Sequence, residues 1–429
     1  MHYVIIGGCA AGLNAIEGIR KIDQSGEITL ISKEKYPPYA RCLITNYLIG
    51  THSEKSLYLR DNSFYKKNNV NLILEKEVKK ILPDEKKVYL SDKEKISYDK
   101  ILIATGSSPK KLGIKGEEKE GISVFRTIDD VKKILQRIEK SKKVLVFGGG
   151  LIGLKAGYSL KKKGLEVEII IKSPQILSQV VDKKSAKILS NWLNENGIKI
   201  RTGLEPVEIL GNKEMEEVLF DNGEKIKAQI GIVGKGVSPN LSVIENTDIK
   251  THWGIIVDDY LRTSNDDIFS AGDVTETKDL ITGNPTINAL WLSAQEQGKT
   301  AGINMAGGKK KYPGSIGANA AEFFGLPFIS FGKTRETENV EIKEICDEKN
   351  YIYKRFVLKS NILIGAVFIG DVKSAGLYMS LIRSKSNLEN YKNILGKEWF
   401  NYGKVRELLE KDEGFRESIS PEGNNIFFT

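Results

Sequence analysis

The sequence contains few of the residues that build disulfide frameworks and zinc sites. Its 429 residues include three cysteines and three histidines. Cys9, Cys42 and Cys346 lie far apart, form no CxxC pair and have no histidine nearby at metal-ligand spacing. This pattern argues against a disulfide-rich extracellular scaffold and against a bound metal. A reducing, cytoplasmic setting is therefore expected.

Long apolar runs are also missing. The chain opens with a short apolar run at residues 3–6 that has no basic leader before it. No later run approaches the roughly 20 apolar residues that cross a bilayer. We therefore expect a soluble protein without a signal peptide or a membrane span.

Acidic residues are outnumbered, since 65 lysines and arginines face 56 aspartates and glutamates, for a net charge of +9. The lysine runs 161–163 and 309–311 have no interleaved aromatic residues, so nucleic-acid binding is not expected. Such runs are ordinarily solvated surface, and docking of an acidic electron-transfer protein is the alternative. At about 150 residues per domain, the length predicts three domains.

Two segments share one pattern, in which a short apolar strand runs into a glycine-rich turn and then a helix. They are residues 3–12 and 144–153. Each is followed by a helical stretch and a second apolar strand, at 27–31 and 165–171, which makes two βαβ units. The expected fold class is α/β, with two Rossmann-like nucleotide-binding domains.

The second turn has the full GxGxxG spacing, at Gly148, Gly150 and Gly153. Such glycines permit a tight turn and a close approach to a pyrophosphate, which the helix N-terminus stabilises. In the first turn, Cys9 takes the place of the middle glycine. A packed small residue is favoured over a redox role for this cysteine.

Neither unit has an acidic residue at the exact position where such folds usually bind a ribose. In the first unit, Ser32 stands at the expected acidic position and Glu34 is a nearby substitute. In the second unit, residues 170–173 contain no acid. Lys172 is either a partner for the 2′-phosphate of NADPH or a solvated lysine, so NADH and NADPH both remain open.

The rest of the chain supplies further strands, a boundary and a different C-terminal pattern. The patterns at residues 98–106 and 268–273 each predict a buried strand that ends in a glycine turn. The composition of residues 110–121 predicts a domain boundary. Beyond residue 311, the pattern predicts a smaller α+β domain, with strands at 352–358 and 362–369 and helices at 374–395 and 404–411.

Taken together, these motifs resemble the flavoprotein reductases of the pyridine nucleotide-disulfide oxidoreductase superfamily. The matching segments are the two glycine turns and residues 103–106, 237–240, 263–273, 297–298 and 301–307. The resemblance extends from residue 1 to about residue 312 and more loosely beyond. It implies an FAD-binding domain at 1–112 and 240–315, an NAD(P)H-binding domain at 113–239, and an α+β domain with a helical tail at 316–429.

The resemblance also implies which residues hold the two cofactors, FAD and either NADH or NADPH. Those implied for FAD are Gly7, Gly8, Cys9, Ala10, Ala11, Gly12, Glu34, Arg41, Cys42, Val78, Ala104, Thr105, Gly106, Arg126, Gly272 and Asp273. Those implied for the nicotinamide nucleotide are Gly148, Gly150, Leu151, Ile152, Gly153, Lys172 and Gly234. Asp273 is expected near the ribityl or phosphate region of FAD.

The turn at residues 36–44 is the most informative segment for function. It is similar to the turn of NADH:rubredoxin oxidoreductases and nitrite reductase flavin domains, in which an arginine lies against FAD, and this implies that role for Arg41. Cys42 stands where NADH oxidases and coenzyme A disulfide reductases carry a single reactive cysteine. It is either a thiolate favoured by Arg41 and a helix N-terminus, or a buried, inert residue.

Two departures from the wider family bear on the chemistry. Lys155 occupies a position where many relatives have a glutamate close to nicotinamide and flavin, and it either stabilises an anionic reduced flavin or faces solvent. The chain has no CxxxxC pair, and its C-terminal region lacks a His-Glu couple because His2, His52 and His252 lie elsewhere. Chemistry like that of glutathione reductase is therefore disfavoured.

The leading expectation is an FAD-dependent NAD(P)H oxidoreductase that passes electrons to a small acidic iron-sulfur carrier, rubredoxin or ferredoxin. The first alternative is a single-cysteine enzyme that reduces a disulfide, persulfide, peroxide or oxygen through Cys42. The second is a flavin-bearing subunit or redox sensor whose tail, at about 384–429, binds a partner. The resemblance also implies a homodimer formed through the third domain.

Overall fold

The computed structural model of the protein describes residues 1–397 and 399–410. Its strands, in chain order, are β1 His2–Ile6, β2 Glu27–Ile31, β3 Val70–Ile73, β4 Val78–Leu82, β5 Lys87–Leu90, β6 Lys95–Ser97, β7 Lys100–Ile103, β8 Ser107–Pro109, β9 Ile122–Val124, β10 Lys143–Phe147, β11 Glu166–Ile171, β12 Ile198–Thr202, β13 Pro206–Leu210, β14 Glu217–Phe220, β15 Lys225–Lys227, β16 Ile230–Val233, β17 Val237–Pro239, β18 Ile255–Ile256, β19 Ile268–Ser270, β20 Thr275–Lys278, β21 Pro285–Thr286, β22 Ala318–Phe323, β23 Leu326–Gly332, β24 Glu341–Asp347, β25 Ile352–Lys359 and β26 Ile362–Ile369. Its α-helices are α1 Ala10–Arg20, α2 Ile44–Ile49, α3 Asn62–Lys67, α4 Ile128–Ile138, α5 Leu151–Lys162, α6 Lys183–Glu195, α7 Trp291–Met305, α8 Ala375–Ser384 and α9 Tyr402–Glu410.

The chain divides into two compact units. Unit 1 contains Met1–Gly148, Ile152–Glu168 and Glu205–Ser315, and unit 2 contains Gly149–Leu151, Ile169–Leu204 and the chain from Ile316 onward. The division into three domains at residues 112, 239 and 315 stays a prediction.

The main sheet of unit 1 is parallel and has the strand order β19-β7-β1-β2-β3. Its central strand, β1, is almost entirely apolar, as expected for a strand covered on both faces. Ile6, the last residue of β1, pairs with Ile31 of β2 and Ile103 of β7. The carboxyl ends of these three strands therefore meet at one edge, where ligands bind in open α/β sheets.

Helices α1 and α7 pack closely against each other because glycines line their contact. A Cβ on Gly298 would lie 2.1 Å from the carbonyl oxygen of Ala11, and one on Gly302 would lie 2.2 Å from that of Ala15. Backbone therefore meets backbone along this contact. The apolar side chains of α1 complete a core with β1, β2 and β7.

The rest of unit 1 has a second parallel arrangement, in which β10 pairs with β16 and β16 with β9. The order of β10, α5 and β11 along the chain repeats that of β1, α1 and β2. Smaller sheets are formed by β4-β5-β6, β13-β14-β15, β18-β20-β21 and β8-β17. The predicted α/β fold class, with two Rossmann-like segments, is confirmed.

In unit 2, a five-stranded antiparallel sheet has the order β22-β23-β26-β25-β24. Helix α8 places Tyr378 among Phe356, Phe368 and Phe400, at ring-centroid distances of 4.6, 5.4 and 5.5 Å. Such aromatic packing supplies much of the apolar contact of a small domain. The predicted C-terminal α+β domain is therefore present.

The prediction of one helix over residues 374–395 is wrong, because α8 ends at Ser384. Lys385 has a φ of +54°, which stops the helix, and Asn387 then forms a bridge with Ile362. The helix predicted at 404–411 is α9, and its last predicted residue lies outside the described residues, as do residues 398 and 411–429 of the predicted tail.

Among the described helices, none combines the length and the apolar character needed to span a bilayer.

Candidate functional site

The turn after β1 is so tight that only glycine fits at two of its positions. Gly7 has a φ of +112°, and a Cβ there would lie 2.1 Å from the carbonyl oxygen of Ala104. A Cβ on Gly12 would lie 2.1 Å from the carbonyl oxygen of Gly7, and one on Gly8 would lie 3.2 Å from Pro38 Cγ. The predicted glycines therefore bring the end of β1, the start of α1 and the end of β7 together.

The N-terminus of α1 is open to an anion. Cys9 is the N-cap residue, its side chain makes no capping hydrogen bond, and the first turn, which begins at Ala10 and Ala11, contains no acidic residue. The first amide groups of this helix can therefore stabilise a phosphate. The Cys9 thiol instead donates a hydrogen bond of 3.9 Å to the carbonyl oxygen of Tyr39. This contact fits the interpretation of Cys9 as a packed small residue.

A carboxylate, a guanidinium and a phenol form a cluster beyond the end of β2. Glu34 forms an ion pair with Arg41 through Oε1, and its Oε2 accepts a hydrogen bond of 2.7 Å from the Tyr39 hydroxyl. The Arg41 guanidinium lies 5.2 Å from the centre of the Tyr39 ring and donates a hydrogen bond of 3.3 Å to the carbonyl oxygen of Arg126. Sequence reasoning identified Glu34 and Arg41 but missed Tyr39, although Tyr39 stands in the same motif.

A second polar cluster surrounds Asp273, just beyond β19. The Ser107 hydroxyl donates a hydrogen bond of 2.7 Å to Asp273 Oδ2, and Arg126 Nη2 lies 3.2 Å from the same oxygen. Asp273 Oδ1 accepts no hydrogen bond from the part of the chain that the structure describes. The carboxylate is thus held in place through one oxygen, while the other can accept a hydrogen bond from a hydroxyl group of a ligand. Ser107 was not predicted.

The loops around these clusters are fixed by backbone contacts. Thr105 and Asn240 exchange two hydrogen bonds of 2.9 Å, each between a side chain and a backbone carbonyl. The amide of Gly272 donates a hydrogen bond of 2.7 Å to Gln297, and that of Ala104 one of 2.8 Å to the end of β1. Thr105, Gly272 and Ala104 were predicted as site residues from the sequence. Asn240 and Gln297 were not, although they lie in the matching segments 237–240 and 297–298.

Two further predicted residues lie beside these groups. Val78, the first residue of β4, is buried in an apolar cluster that also includes Ile6 and Ile31. Gly106 has a φ of +68°, and a Cβ there would lie 3.8 Å from Arg126 Nη2. All the residues predicted to hold FAD thus belong to unit 1. The glycine turn, the uncapped helix and the partly satisfied carboxylate fit a dinucleotide with phosphate and hydroxyl groups.

Cys42 lies in the single helical turn Arg41–Leu43, and its side chain is exposed. Protein atoms around the sulfur nevertheless desolvate it and raise the pKa of the Cys42 thiol, while the Lys155 ammonium lowers it in part. Arg41, which activates this thiol in one of the two alternatives, forms its ion pair with Glu34 instead. The cation that lowers the pKa of Cys42 is therefore Lys155 and not Arg41, and the larger effect of desolvation favours the protonated thiol at neutral pH.

Lys155, on α5, is partly buried. Desolvation lowers the pKa of its ammonium group, and the charge of Cys42 acts in the opposite direction. A Cβ on Gly50, at the end of α2, would lie 3.5 Å from Nζ of Lys163, the residue directly after α5. Whether Lys155 lies close to the cofactors or faces solvent stays a prediction.

The second glycine turn has the same construction as the first. Gly148 has a φ of +128°, and a Cβ there would lie 2.3 Å from the carbonyl oxygen of Gly234. A Cβ on Gly153 would lie 2.0 Å from the carbonyl oxygen of Gly148. These three predicted residues meet within unit 1, and the next predicted residue, Ile152, is 49% exposed.

The other predicted residues of this turn belong to unit 2. A Cβ on Gly150 would have no neighbour within 4 Å, which leaves room for a ligand to approach the backbone. Leu151 is partly buried, and Lys172, directly after β11, is exposed. A Cβ on Gly149 would lie 2.8 Å from Ile171 Cγ2, so this part of the turn sits against the end of β11.

The described residues include no group of three or more histidine, cysteine, aspartate or glutamate side chains placed to hold a metal ion.

Comparison with known proteins covers nearly the whole chain. The family model described as pyridine nucleotide-disulphide oxidoreductase matches residues 1–298, and that of the rubredoxin NAD+ reductase C-terminal domain matches residues 318–386. Proteins of the first family bind FAD and NAD(P)H.

Three similar proteins illustrate the range of relatives. Nitrite reductase (NAD(P)H) of Bacillus subtilis is 31% identical over 394 residues, which cover 91% of this chain and 48% of that protein. The NAD-dependent persulfide reductase from A. fulgidus has a TM-score of 0.85 and 28% identity, and the match covers 92% of this chain and 79% of that one. NADH:rubredoxin oxidoreductase from Clostridium acetobutylicum has a TM-score of 0.76 and 29% identity, and the match covers 91% of this chain and 97% of that one.

The chain spans about half the length of the first curated relatives it matches. The resemblance recognised in the sequence is nevertheless confirmed, because one family model matches well over half of the residues. The chain belongs to the pyridine nucleotide-disulphide oxidoreductase family.

Proposed function

We propose that this protein is an FAD-dependent NAD(P)H oxidoreductase that passes electrons from a nicotinamide nucleotide to a small acidic iron-sulfur carrier, rubredoxin or ferredoxin. The observation that carries the proposal is the match of residues 318–386 to the rubredoxin NAD+ reductase C-terminal domain. The net charge of +9 supports it, because opposite charges speed the encounter of electron-transfer partners.

In this proposal, the first glycine turn and α1 hold the FAD pyrophosphate through backbone amide groups. Glu34 accepts hydrogen bonds from a ribose, and Arg41 holds that carboxylate in place. Val78 supplies an apolar contact, and Asp273 accepts a hydrogen bond through Oδ1. The chemistry that bound FAD would supply is to accept a hydride and to release electrons one at a time.

Asp273 is positioned from two sides. Because Ser107 and Arg126 both bond Oδ2, the carboxylate cannot rotate without breaking two hydrogen bonds. Thr105, Gly106 and Gly272 fix the surrounding backbone, so the polar groups are in position before the cofactor binds. Preorganisation of this kind reduces the entropy cost of binding.

The nicotinamide nucleotide is proposed to bind at the second glycine turn. Gly148, Gly153 and Gly234 form its tight part, and Gly150 leaves its backbone accessible. Leu151 and Ile152 begin α5, whose N-terminal amide groups face the pyrophosphate in this proposal. Lys155 lies one turn farther along the helix and places a positive charge near Cys42.

Three further features belong to the proposal. The protein forms a homodimer through its C-terminal domain, its three domains divide at about residues 112, 239 and 315, and it works in the reducing cytoplasm, where its three unpaired cysteines stay reduced. Light scattering of the purified protein measures the oligomeric state. A monomer at micromolar concentration would contradict the first feature.

The function is tested by anaerobic titration of the purified flavoprotein with NADH and NADPH, followed by steady-state assays with rubredoxin and ferredoxin. We expect one nucleotide to bleach the flavin and the reduced protein to reduce at least one carrier. Failure of both nucleotides would contradict the proposal and favour a flavin-bearing subunit or sensor. Flavin reduction without transfer to either carrier would contradict the assignment of the acceptor.

A second candidate function is reduction of a disulfide, persulfide, peroxide or oxygen through Cys42. It is favoured by the exposure of Cys42, by the nearby Lys155 charge and by the fold shared with the A. fulgidus persulfide reductase. The raised pKa of Cys42 opposes it, since the thiolate is the reactive form. Assays with persulfide and disulfide acceptors therefore accompany those with the iron-sulfur carriers.

A further inference from the structure

Five lysines of unit 1 lie at the end of α1 that faces away from the first glycine turn. Lys21 directly follows α1, Lys299 belongs to α7, and the lysine run 309–311 begins four residues after α7 ends at Met305. We call these five residues the lysine surface. Within the part of the chain that the structure describes, no carboxylate forms an ion pair with any of them.

The packing of α1 against α7 brings Lys21 and Lys299 together. A Cβ on Gly18, in the last turn of α1, would lie 2.3 Å from the carbonyl oxygen of Lys299. Lys21 follows Gly18 by three residues, which is less than one helical turn. The end of α1 therefore lies directly beside the middle of α7.

The lysine run folds back onto the same helix. Gly308 donates a backbone hydrogen bond of 2.9 Å to the carbonyl oxygen of Ile303, in the last turn of α7. The side-chain amide of Asn304 accepts a hydrogen bond of 2.7 Å from the backbone N–H of Lys310 and donates one of 2.8 Å to its carbonyl oxygen. Lys310 is thus held in place next to α7.

The ammonium groups of this surface act on one another. Lys310 is partly buried, and desolvation lowers its pKa, as do the charges of Lys299 and Lys21. Glu296 acts in the opposite direction, but its effect is the smallest of the four. The positive charge at Lys310 is therefore not balanced by the protein, and an external anion would relieve the repulsion.

The lysine surface offers charge to an anion but no backbone donors. Lys21 and the run 309–311 follow the C-terminal ends of their helices, where carbonyl groups and not amide groups are left without intrahelical partners. A single small phosphate therefore finds no amide groups to bind it. A surface with many negative charges gains from the whole array instead, since each lysine near an anionic membrane strengthens binding about fivefold.

An exposed apolar side chain stands next to these charges. Ile22 directly follows Lys21 and is 50% exposed. The carboxylate of Asp23, the next residue, accepts hydrogen bonds of 2.9 and 2.8 Å from the amides of Ser25 and Gly26. An apolar side chain beside lysines suits the interface of an anionic bilayer, where the apolar group enters and the ammonium groups stay among the headgroups.

Binding through this surface would leave the proposed cofactor sites accessible. The first glycine turn lies at the other end of α1, and the 11 residues of that helix separate the two ends by about 16 Å. The carboxyl ends of β1, β2 and β7 lie on the side of the glycine turn. A carrier could therefore reach that side while the lysine surface is occupied.

We propose that the lysine surface binds anionic phospholipid headgroups and attaches this protein reversibly to the cytoplasmic face of a membrane. Ile22 adds an apolar contact to this electrostatic attachment. The attachment goes beyond the proposed function, because it does not depend on which acceptor receives the electrons.

The test is sedimentation of the flavin-loaded protein with two kinds of vesicle, phosphatidylcholine alone and phosphatidylcholine with about 30% phosphatidylglycerol. We expect binding to the anionic vesicles only, and loss of binding at about 1 M salt, where the screening length falls to about 3 Å. The combined variant Lys309→Gln, Lys310→Gln and Lys311→Gln should bind about a hundredfold more weakly. Ile22→Ser should bind about fivefold more weakly.

The matched control changes the other lysine run. Lys161→Gln, Lys162→Gln and Lys163→Gln combined also remove three positive charges from the net charge of +9, and this variant should bind as the wild type does. Arginine at all three positions of the run 309–311 should preserve binding. The thermal midpoint and the flavin-to-protein ratio show that each variant is folded.

Three outcomes would overturn the proposal. The first is no binding of the wild-type protein to the anionic vesicles, and the second is an equal loss of binding in the two glutamine variants. The third is tighter binding to poly-L-glutamate than to the anionic vesicles, because that result would assign the lysine surface to an acidic polypeptide. Sedimentation reports on this surface whether or not a nucleotide reduces the flavin.

Discussion

Lys155 is the positive group that acts on the Cys42 thiol. The two side chains shift each other's ionisation, since the ammonium opposes the desolvation that raises the pKa of Cys42, and Cys42 opposes the desolvation that lowers the pKa of Lys155. The site therefore combines a protonated thiol with a partly buried cation, whereas one of the two alternatives drawn from the sequence pairs a thiolate with Arg41.

Replacing Lys155 by methionine should raise the pKa of Cys42 further. Loss of the positive charge makes the thiolate less favourable, so the alkylation rate should reach its midpoint at a higher pH than in the wild type. The measurement is the pH dependence of iodoacetamide labelling, followed on the Cys42 peptide by mass spectrometry. Lys155→Arg should restore the wild-type midpoint, and Lys163→Met, which removes a lysine directly after the end of α5, should leave it nearly unchanged. An unmoved midpoint in Lys155→Met would mean that the ammonium does not control this thiol.

Replacing Cys42 by serine separates the two candidate functions. If electrons leave for an iron-sulfur carrier, the variant should keep near-normal kcat with rubredoxin or ferredoxin, because a protonated thiol takes no part in that transfer. If the thiol carries the oxidative half-reaction, turnover with persulfide or disulfide should fall by more than about a hundredfold while flavin reduction by the nucleotide survives. Cys346→Ser, which removes another exposed cysteine, is the matched control.

Much of the site could be predicted because its signals are local in sequence. The strand β2 was located to the residue, since five apolar-rich positions precede a turn, and the glycines were identified because tight turns require them at fixed spacing. Ser107 was missed because its role depends on Asp273, which is 166 residues away in the chain. The end of α8 was missed because Lys385 carries no sequence signal for a left-handed backbone.

Replacing Gly12 by alanine should cost both stability and cofactor. The added Cβ would lie 2.1 Å from the carbonyl oxygen of Gly7, so the turn must open. Overpacking of this kind lowers the free energy of unfolding by about 1–3 kcal/mol. The displaced backbone should also lower the FAD content of the purified protein. The measurements are the ratio of flavin to protein and the thermal midpoint.

Gly376→Ala is the control for that experiment. A Cβ at Gly376 would meet nothing within 4 Å, and the residue lies inside α8, where alanine is the better helix former. This variant should keep its flavin and be as stable as the wild type or more so. Full flavin occupancy in Gly12→Ala would contradict the role given to the first glycine turn.

Replacing Tyr39 by phenylalanine tests the cluster that sequence reasoning described incompletely. The Tyr39 hydroxyl donates a hydrogen bond to Glu34 Oε2, and its ring lies beside Arg41. The phenylalanine variant keeps the ring and loses only the hydroxyl. Loss of this one hydrogen bond leaves Glu34 less well held, at a cost of about 1 kcal/mol, so the dissociation constant for FAD should rise about fivefold. The constant is measured by titrating the apoprotein with FAD, and Tyr36→Phe, which removes the neighbouring hydroxyl that bonds Asp129 instead, is the control. If Tyr39→Phe binds FAD as the wild type does, Arg41 alone positions Glu34, and Tyr39 serves only to pack against the guanidinium.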